Sequence, residues 1–455
     1  MQRRHPTVDL RPALILALAL LVLPLGVFKG EFPRGADTWG HMAKAETLAG
    51  EMQVQGPGAY FTAAWTPKWY MGDPFRTYYP PLSVLVVTPF VYLLRDAVLA
   101  YRLFVMLLLG AYAILCYVFL NRQWGKWPAT LGAVMALWAP YQLRTAFFEG
   151  NLPRGLAMLS LPVLALGTEG LLMAKARKAR WVDVLALAWC WALLAHPQQA
   201  YIFAICFALY VVTRLFLDAT LLIGPAGLWM VGLLLGVALA APWLFPAYIG
   251  DGLPGVPFLP AEKVPLFSAP LRGLFPALDL KGGRITFGFG GIFLAVPAVV
   301  ARPNPSRNAW LAAGFGGLWL SLAPSGVIFS LLPLSQQLLP GRFLNSTAFA
   351  FPVAAAGLLP MWNKARLARM AVVVGLVLRD AARKGRTGER RERIPPLCEL
   401  RLRACGGGAA NCHDLSVQGN ALPDSAMFLC RRGGDRGAGL GGGWGCLLGE
   451  ADESL

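Results

Sequence analysis

Asp37, His41 and Lys44 recur at i, i+4 and i+7 within the stretch from Gly35 to Glu46, so a helix there would stack all three on one face. A carboxylate beside an imidazole can work as a general base with its orienter, or as two ligands of a divalent metal. The same spacing suits a solvated acid with an i, i+4 partner. Two ligands do not make a metal site, so a divalent ion is compatible with these residues without being indicated by them. Further along, Trp65, Trp69, Tyr70, Tyr78 and Tyr79 are interleaved with Pro67, Pro74, Pro80 and Pro81. Rings such as Trp69 and Tyr79 can stack on a sugar while a proline-stiffened chain guides a lipid tail. They also suit an aromatic belt, because Trp and Tyr prefer the bilayer interface.

A third cluster runs from Glu149 through Gly150, Asn151 and Pro153 to Arg154. Asn151 is placed to cap a helix with Pro153 in its first turn, so backbone N–H groups and Arg154 together offer an anion site that fits a phosphate. The plainer reading is an ion pair between Glu149 and Arg154. His196, before Pro197, and Arg342, between Gly341 and Phe343, are ionisable groups near helix ends. Such groups are costly at membrane depth, although at a helix end they can reach water. No Walker loop, dinucleotide fingerprint or metalloprotease helix is present.

The elements that must hold these residues are apolar. Of 455 residues, 56% are hydrophobic and only 14% charged, with a mean hydropathy of +0.53; this excludes a soluble domain of ordinary composition. The net charge of +17 collects in short loops between apolar runs, which points to cytoplasmic anchoring rather than nucleic acid. Cys116, Cys190 and Cys206 lie inside such runs as packing residues.

The run Pro12 to Phe28 follows Arg3, Arg4 and Arg11 and lacks a small-x-small cleavage motif, so it reads as an uncleaved signal anchor with a cytoplasmic N-terminus. Residues 29–81 then form a first outer loop. Leu82 to Leu94 is too short for a full span and reads as re-entrant or interfacial. With that parity Val98 to Leu120 runs inward and Pro128 to Tyr141 outward. Glu149 then shares the outer side with the first loop, and the run Leu152 to Ala174 leads Lys175, Arg177, Lys178 and Arg180 into the cytoplasm.

Further runs cover Val182 to Ala195, Gln198 to Leu217, Leu221 to Tyr248, Ile285 to Val300, Ala309 to Leu322, Val327 to Leu339 and Phe343 to Met361. Residues 249–285 form a second outer loop within a core spanning 82–378. The expected fold is an all-α, multi-pass protein of the cell membrane with about 10–12 hydrophobic helices, some short or re-entrant. At Arg379 the apolar run from Met370 stops, and 379–455 are rich in Arg, Gly and Cys without periodicity. That tail reads either as the product of a shifted frame, with further helices in the natural protein, or as a disordered basic tail.

Asp37, Thr38, Trp39, Gly40 and His41 with Lys44 and Glu46, then Trp69, Gly72 and Pro74, then Tyr79, Pro80, Pro81 and Leu82, resemble the bacterial and archaeal membrane proteins described as 6-pyruvoyl-tetrahydropterin synthase-related. That family is similar to the GT-C type glycosyltransferases, which carry an acidic residue in the loop after the first helix and use polyprenyl-phosphate-linked sugars. The resemblance implies a GT-C-like fold, membrane lipid and a lipid-linked sugar donor as partners, and Asp37 as the base for an acceptor hydroxyl. It makes Glu149 a second carboxylate, with Arg154 and Arg342 holding the donor phosphate and His41, Lys44, Trp69 and Tyr79 lining the substrate site. One departure stands out: the family's Arg-Gly-x-x-x-x-Glu appears here with its charges reversed, as Glu149 and Gly150 followed by Arg154. A lipid or polysaccharide transporter or flippase, or a non-catalytic envelope protein, remains open beside the transferase.

Overall fold

In a bilayer every backbone N–H and C=O must be satisfied within the chain, and long apolar runs meet that demand as helices. The structure, a computed structural model, describes residues 9–27, 36–62, 80–174, 176–218, 223–248, 304–322, 329–333, 335 and 338–361. Every described residue falls in the unit Met1–Thr387, and no β-strand occurs among them. Trp69, Tyr79, the loop 249–285, the run Ile285 to Val300, the run from Met370 and the tail 379–455 lie outside the described residues.

The helices are α1 (Arg11–Val27), α2 (Ala36–Gln55), α3 (Ala59–Thr62), α4 (Pro81–Leu94), α5 (Ala97–Trp124), α6 (Lys126–Leu137) and α7 (Pro140–Leu143). After a π-turn over Arg144–Phe148 come α8 (Leu152–Met158), α9 (Ser160–Met173), α10 (Lys178–Ala195), α11 (Pro197–Leu217) and α12 (Ile223–Tyr248). Then follow α13 (Pro305–Ser321), a 3-10 turn over Pro340–Phe343 and α14 (Leu344–Ala356). Among the described residues four stretches are long and apolar enough to cross a membrane: Ala97–Trp124, Leu152–Met173, Pro197–Leu217 and Gly224–Phe245. The protein is thus an all-α, multi-pass membrane protein.

Local chemistry sets several boundaries. Asp96 starts α5 by accepting at Oδ1 from Val98 N (2.9 Å) and Leu99 N (3.0 Å), the usual N-cap exchange. Gly125 ends that helix at φ +82°, a conformation open to glycine. The expected short segment is a helix of 14 residues, which rises about 21 Å and falls short of a hydrocarbon core of about 30 Å. Its buried stripe, Ser83, Val84, Val87, Thr88 and Val91, packs on α2 and α5.

Small residues let the membrane helices approach. A Cβ on Gly236 of α12 would lie 2.4 Å from the Cβ of Trp189 and 2.8 Å from Ala186 O on α10, and Gly232 one turn earlier meets Leu185. This is a small-xxx-small contact. The outer face of α12, with Met230, Val231, Leu234 and Leu239 exposed, is what a lipid-facing helix presents. Between α5, α11, α13 and α14 the core is aromatic: Trp310 sits 4.2 Å from Tyr210, 5.5 Å from Phe349 and 5.7 Å from Phe207, centroid to centroid.

A buried polar knot closes one end of these helices. Glu169 of α9 accepts hydrogen bonds from Tyr210 Oη on α11 and from Ser306 Oγ on α13 (2.5 Å). Arg214 Nε lies 3.9 Å from the same carboxylate, while its Nη1 donates to Asp218 Oδ2 at 2.8 Å. The side chains of Glu169 and Arg214 are 2% and 5% exposed, so each charge depends on the other and on the surrounding hydroxyls.

Candidate functional site

At the opposite end of α9 and α11 the chain changes geometry. Arg144 to Phe148 wind as a π-turn, in which Glu149 N donates to Arg144 O at 3.0 Å. An i→i+5 turn brings residue 149 over residue 144, whereas an α-helix would rotate them well apart. The result is a direct ion pair, Arg144 Nε to Glu149 Oε1 at 2.8 Å. The other carboxylate oxygen, Oε2, meets Arg154 Nη2. Tyr101 of α5 donates to Ala146 O (2.9 Å) and Asn345 of α14 to Thr145 Oγ1 (3.3 Å), which anchors the turn from two sides.

Asn151 begins α8, accepting at Oδ1 from Arg154 N at 3.0 Å. Its amide also reaches across to α2, where Nδ2 donates to Asp37 Oδ2 at 2.7 Å. The first outer segment and the α8 junction therefore meet in one hydrogen bond. They also meet sterically. Gly150 stands at φ +60°, and a Cβ there would fall 1.6 Å from Thr38 Oγ1; only glycine satisfies both the conformation and the contact.

The stretch around Asp37, His41 and Lys44 is helical, as its spacing predicts, but the three are not equally placed. Asp37, in the first turn of α2, is exposed, whereas His41 and Lys44 are buried. Burial pushes the His41 imidazole down to about 3 and the Lys44 charge acts in the same direction, so His41 is neutral at ordinary pH. The expected anion site at the N-terminus of α8 needs correction. That helix has seven residues, Pro153 carries no N–H, and Arg154 N is committed to Asn151. What remains for an anion is the guanidinium groups.

Those groups converge. Burial raises the Glu149 pKa, but Arg154 and Arg144, with a smaller contribution from Arg342, outweigh it and hold the carboxyl below its ordinary value. Arg342, at the 3-10 turn before α14, donates to Gln198 Oε1 and places Nη1 3.4 Å from His196 Nε2. His196 caps α11, its Nδ1 accepting from Gln199 N at 3.2 Å. Burial, then Arg342 and Arg154, hold His196 well below its usual pKa. With Nδ1 acting as acceptor, the proton of the neutral ring belongs on Nε2. Two N–H groups, from His196 and Arg342, then face the same space, an arrangement that favours an acceptor-rich anion.

The described candidates Asp37, His41, Lys44, Glu149, Arg154 and Arg342 thus gather around one region together with His196, whereas Trp69 and Tyr79 lie outside the described residues. Sequence reasoning did not include Arg144, because its pairing depends on the π-turn. It also left out Glu169 and Arg214, although a carboxylate inside an apolar run is itself a signal. Among the described residues no group of three or more His, Cys, Asp or Glu could hold a metal ion.

A family model described as "6-pyruvoyl-tetrahydropterin synthase related domain; membrane protein" matches residues 76–386. No curated protein and no solved structure matches the chain.

Proposed function

The chain belongs to the 6-pyruvoyl-tetrahydropterin synthase related family of membrane proteins, and from that premise we propose that it transfers a sugar from a polyprenyl-phosphate donor at the non-cytoplasmic membrane face. The observation that carries the reading is the hydrogen bond from Asn151 Nδ2 to Asp37 Oδ2, which holds an exposed carboxylate beside the Arg144, Arg154 and Arg342 cluster. An acceptor hydroxyl binds beside Asp37. Its oxygen forms a bond to the anomeric carbon as the bond from that carbon to the phosphate oxygen breaks, and Asp37 takes the hydroxyl proton. The polyprenyl phosphate leaves with the bonding electrons, and Arg154 and Arg342 stabilise its charge. Glu149 keeps Arg144 and Arg154 aligned and lowers the net positive charge of the site, so the leaving phosphate is held without being trapped. An apolar cleft of about 270 Å³ lined by Leu115, Leu159, Val163 and Trp191 lies along the helix that follows Arg154, which supports a lipid-linked donor over a water-soluble one.

Purified protein incubated with a panel of polyprenyl-phosphate sugars tests this. Asp37→Asn is expected to lower transfer by about 10²–10⁴-fold with donor binding retained, and Arg154→Gln to weaken donor binding. Full transfer by folded Asp37→Asn overturns the reading. The transporter alternative draws on Glu169 and Arg214, which lie inside apolar helices; lipid translocation in proteoliposomes without sugar transfer would favour it.

A further inference from the structure

At the end of the helices that holds Glu169, two arginines reach one ring. The guanidinium carbons of Arg122, in the last turn of α5, and Arg180, in the first turn of α10, lie 4.8 and 4.5 Å from the ring centroid of Trp181. The indole is fixed: it is buried and pressed on α9, where a Cβ at Gly170 would stand 2.5 Å from Cδ2 and 2.6 Å from Cε2. A ring attracts each cation but does not cancel the repulsion between them. The neighbouring carboxylates are engaged elsewhere, Glu169 with Tyr210, Ser306 and Arg214, Asp218 with Arg214, and Asp9 with Lys126. Asp183, one turn beyond Arg180, is exposed. Among the described residues neither Arg122 nor Arg180 forms an ion pair, and both are exposed.

We propose that Arg122, Trp181 and Arg180 bind the phosphate headgroup of an anionic phospholipid from the surrounding leaflet. Three observations select a lipid over a free anion. The ring sits where a membrane-crossing helix ends, the depth at which Trp is favoured. Arg177 and Lys178 add to the cationic surface there. On α5, Val118 and Ile114 lie one and two turns below Arg122 on the same face and are 47% and 58% exposed, which gives an acyl chain an apolar track directly under the headgroup. This site is independent of the transfer reaction and lies at the other end of the helices.

The test uses the full chain in nanodiscs of POPC alone or POPC with POPG, reading the thermal unfolding midpoint, and native mass spectrometry of the lipids retained after delipidation. Wild type is expected to be stabilised by POPG and to retain it in preference to POPC. Arg122→Gln with Arg180→Gln should weaken that preference, roughly fivefold for each arginine, while Arg95→Gln, an exposed arginine just before the other end of α5, leaves it nearly intact. If the double Gln variant does not fold, Arg122→Lys with Arg180→Lys keeps the charge but loses the planar fork, and is expected to lower the preference partially. Equal retention of the two lipids by wild type, an unchanged preference in the folded arginine variants, or stabilisation by inorganic phosphate in POPC discs equal to that by POPG would each overturn the proposal.

Discussion

Glu149 and Glu169 stand at opposite ends of the same helical stretch, and each meets an arginine. Along α11, His196 near one pair and Arg214 in the other are separated by about 27 Å. The Glu169 end is sealed, with Glu169 and Arg214 2% and 5% exposed, and hydroxyls from α11 and α13 both donate to the same carboxylate oxygen, Oε1. The Glu149 end is open: Glu149 and Arg144 are 21% and 19% exposed, three guanidiniums share the space, and an exposed Asp37 stands beside them. Similar groups thus serve different ends. A sealed pair holds helices together, while an open, cation-rich pair can exchange its contacts for those of a ligand.

The sharpest way to break this contrast is at the sealed end. Arg214→Ala leaves Glu169 buried without its cation and is expected to destabilise the protein by about 3–5 kcal/mol, read as a lowered unfolding midpoint in detergent. Replacing both with apolar residues, Glu169→Leu with Arg214→Met, should recover most of that loss; a folded double variant that has lost sugar transfer would show that this end does more than hold helices. Next comes Gly150→Ala, which forces φ +60° on a residue with a Cβ and drives it into Thr38. A loss of about 1–3 kcal/mol is expected, partly restored by Thr38→Ala, which removes the nearest atom.

At the open end, Glu149→Gln leaves the buried Arg154 with an amide acceptor in place of a carboxylate and is expected to cost about 1–3 kcal/mol, while lowering the proposed sugar transfer strongly. The pH dependence sharpens the point. Glu149 has a folded pKa below 4.5, so its stabilisation is complete above 4.5 and is lost only as pH falls through the lower folded value. His41 acts over a different window. The unfolded chain protonates this ring as pH falls through 6.5, the folded chain only at about 3, so stability is intact above 6.5 and declines between the two. A midpoint-versus-pH curve flatter for His41→Asn than for wild type between pH 6.5 and about 3 checks this.

Much of the architecture was legible because bilayer helices are written in long apolar runs. The run expected at Gln198 to Leu217 is the helix Pro197–Leu217, and the short segment before Arg95 is a helix of 14 residues. Local signals also read correctly: Asn151 caps α8, Glu149 pairs with Arg154, and the stretch from Asp37 to Lys44 is helical. What escaped was non-local. A π-turn depends on the packing of Tyr101 and Asn345 around it, so no spacing rule placed Arg144 on Glu149. The depth of each residue on α2 was hidden for the same reason: the helix period aligns Asp37 with His41, but only the docking of α2 decides that one is exposed and the other buried.

The bond between Asp37 and Asn151 joins residues 114 positions apart. At translation rates of about 5–20 residues per second, roughly 6–23 s pass between synthesis of the two. During that interval α2 has no Gly150 on which to seat Thr38, and the described helices α3 to α7 must be made first. The Asp37 carboxylate is therefore made early and captured late, so completion of the candidate site is timed by synthesis of the segment that holds it.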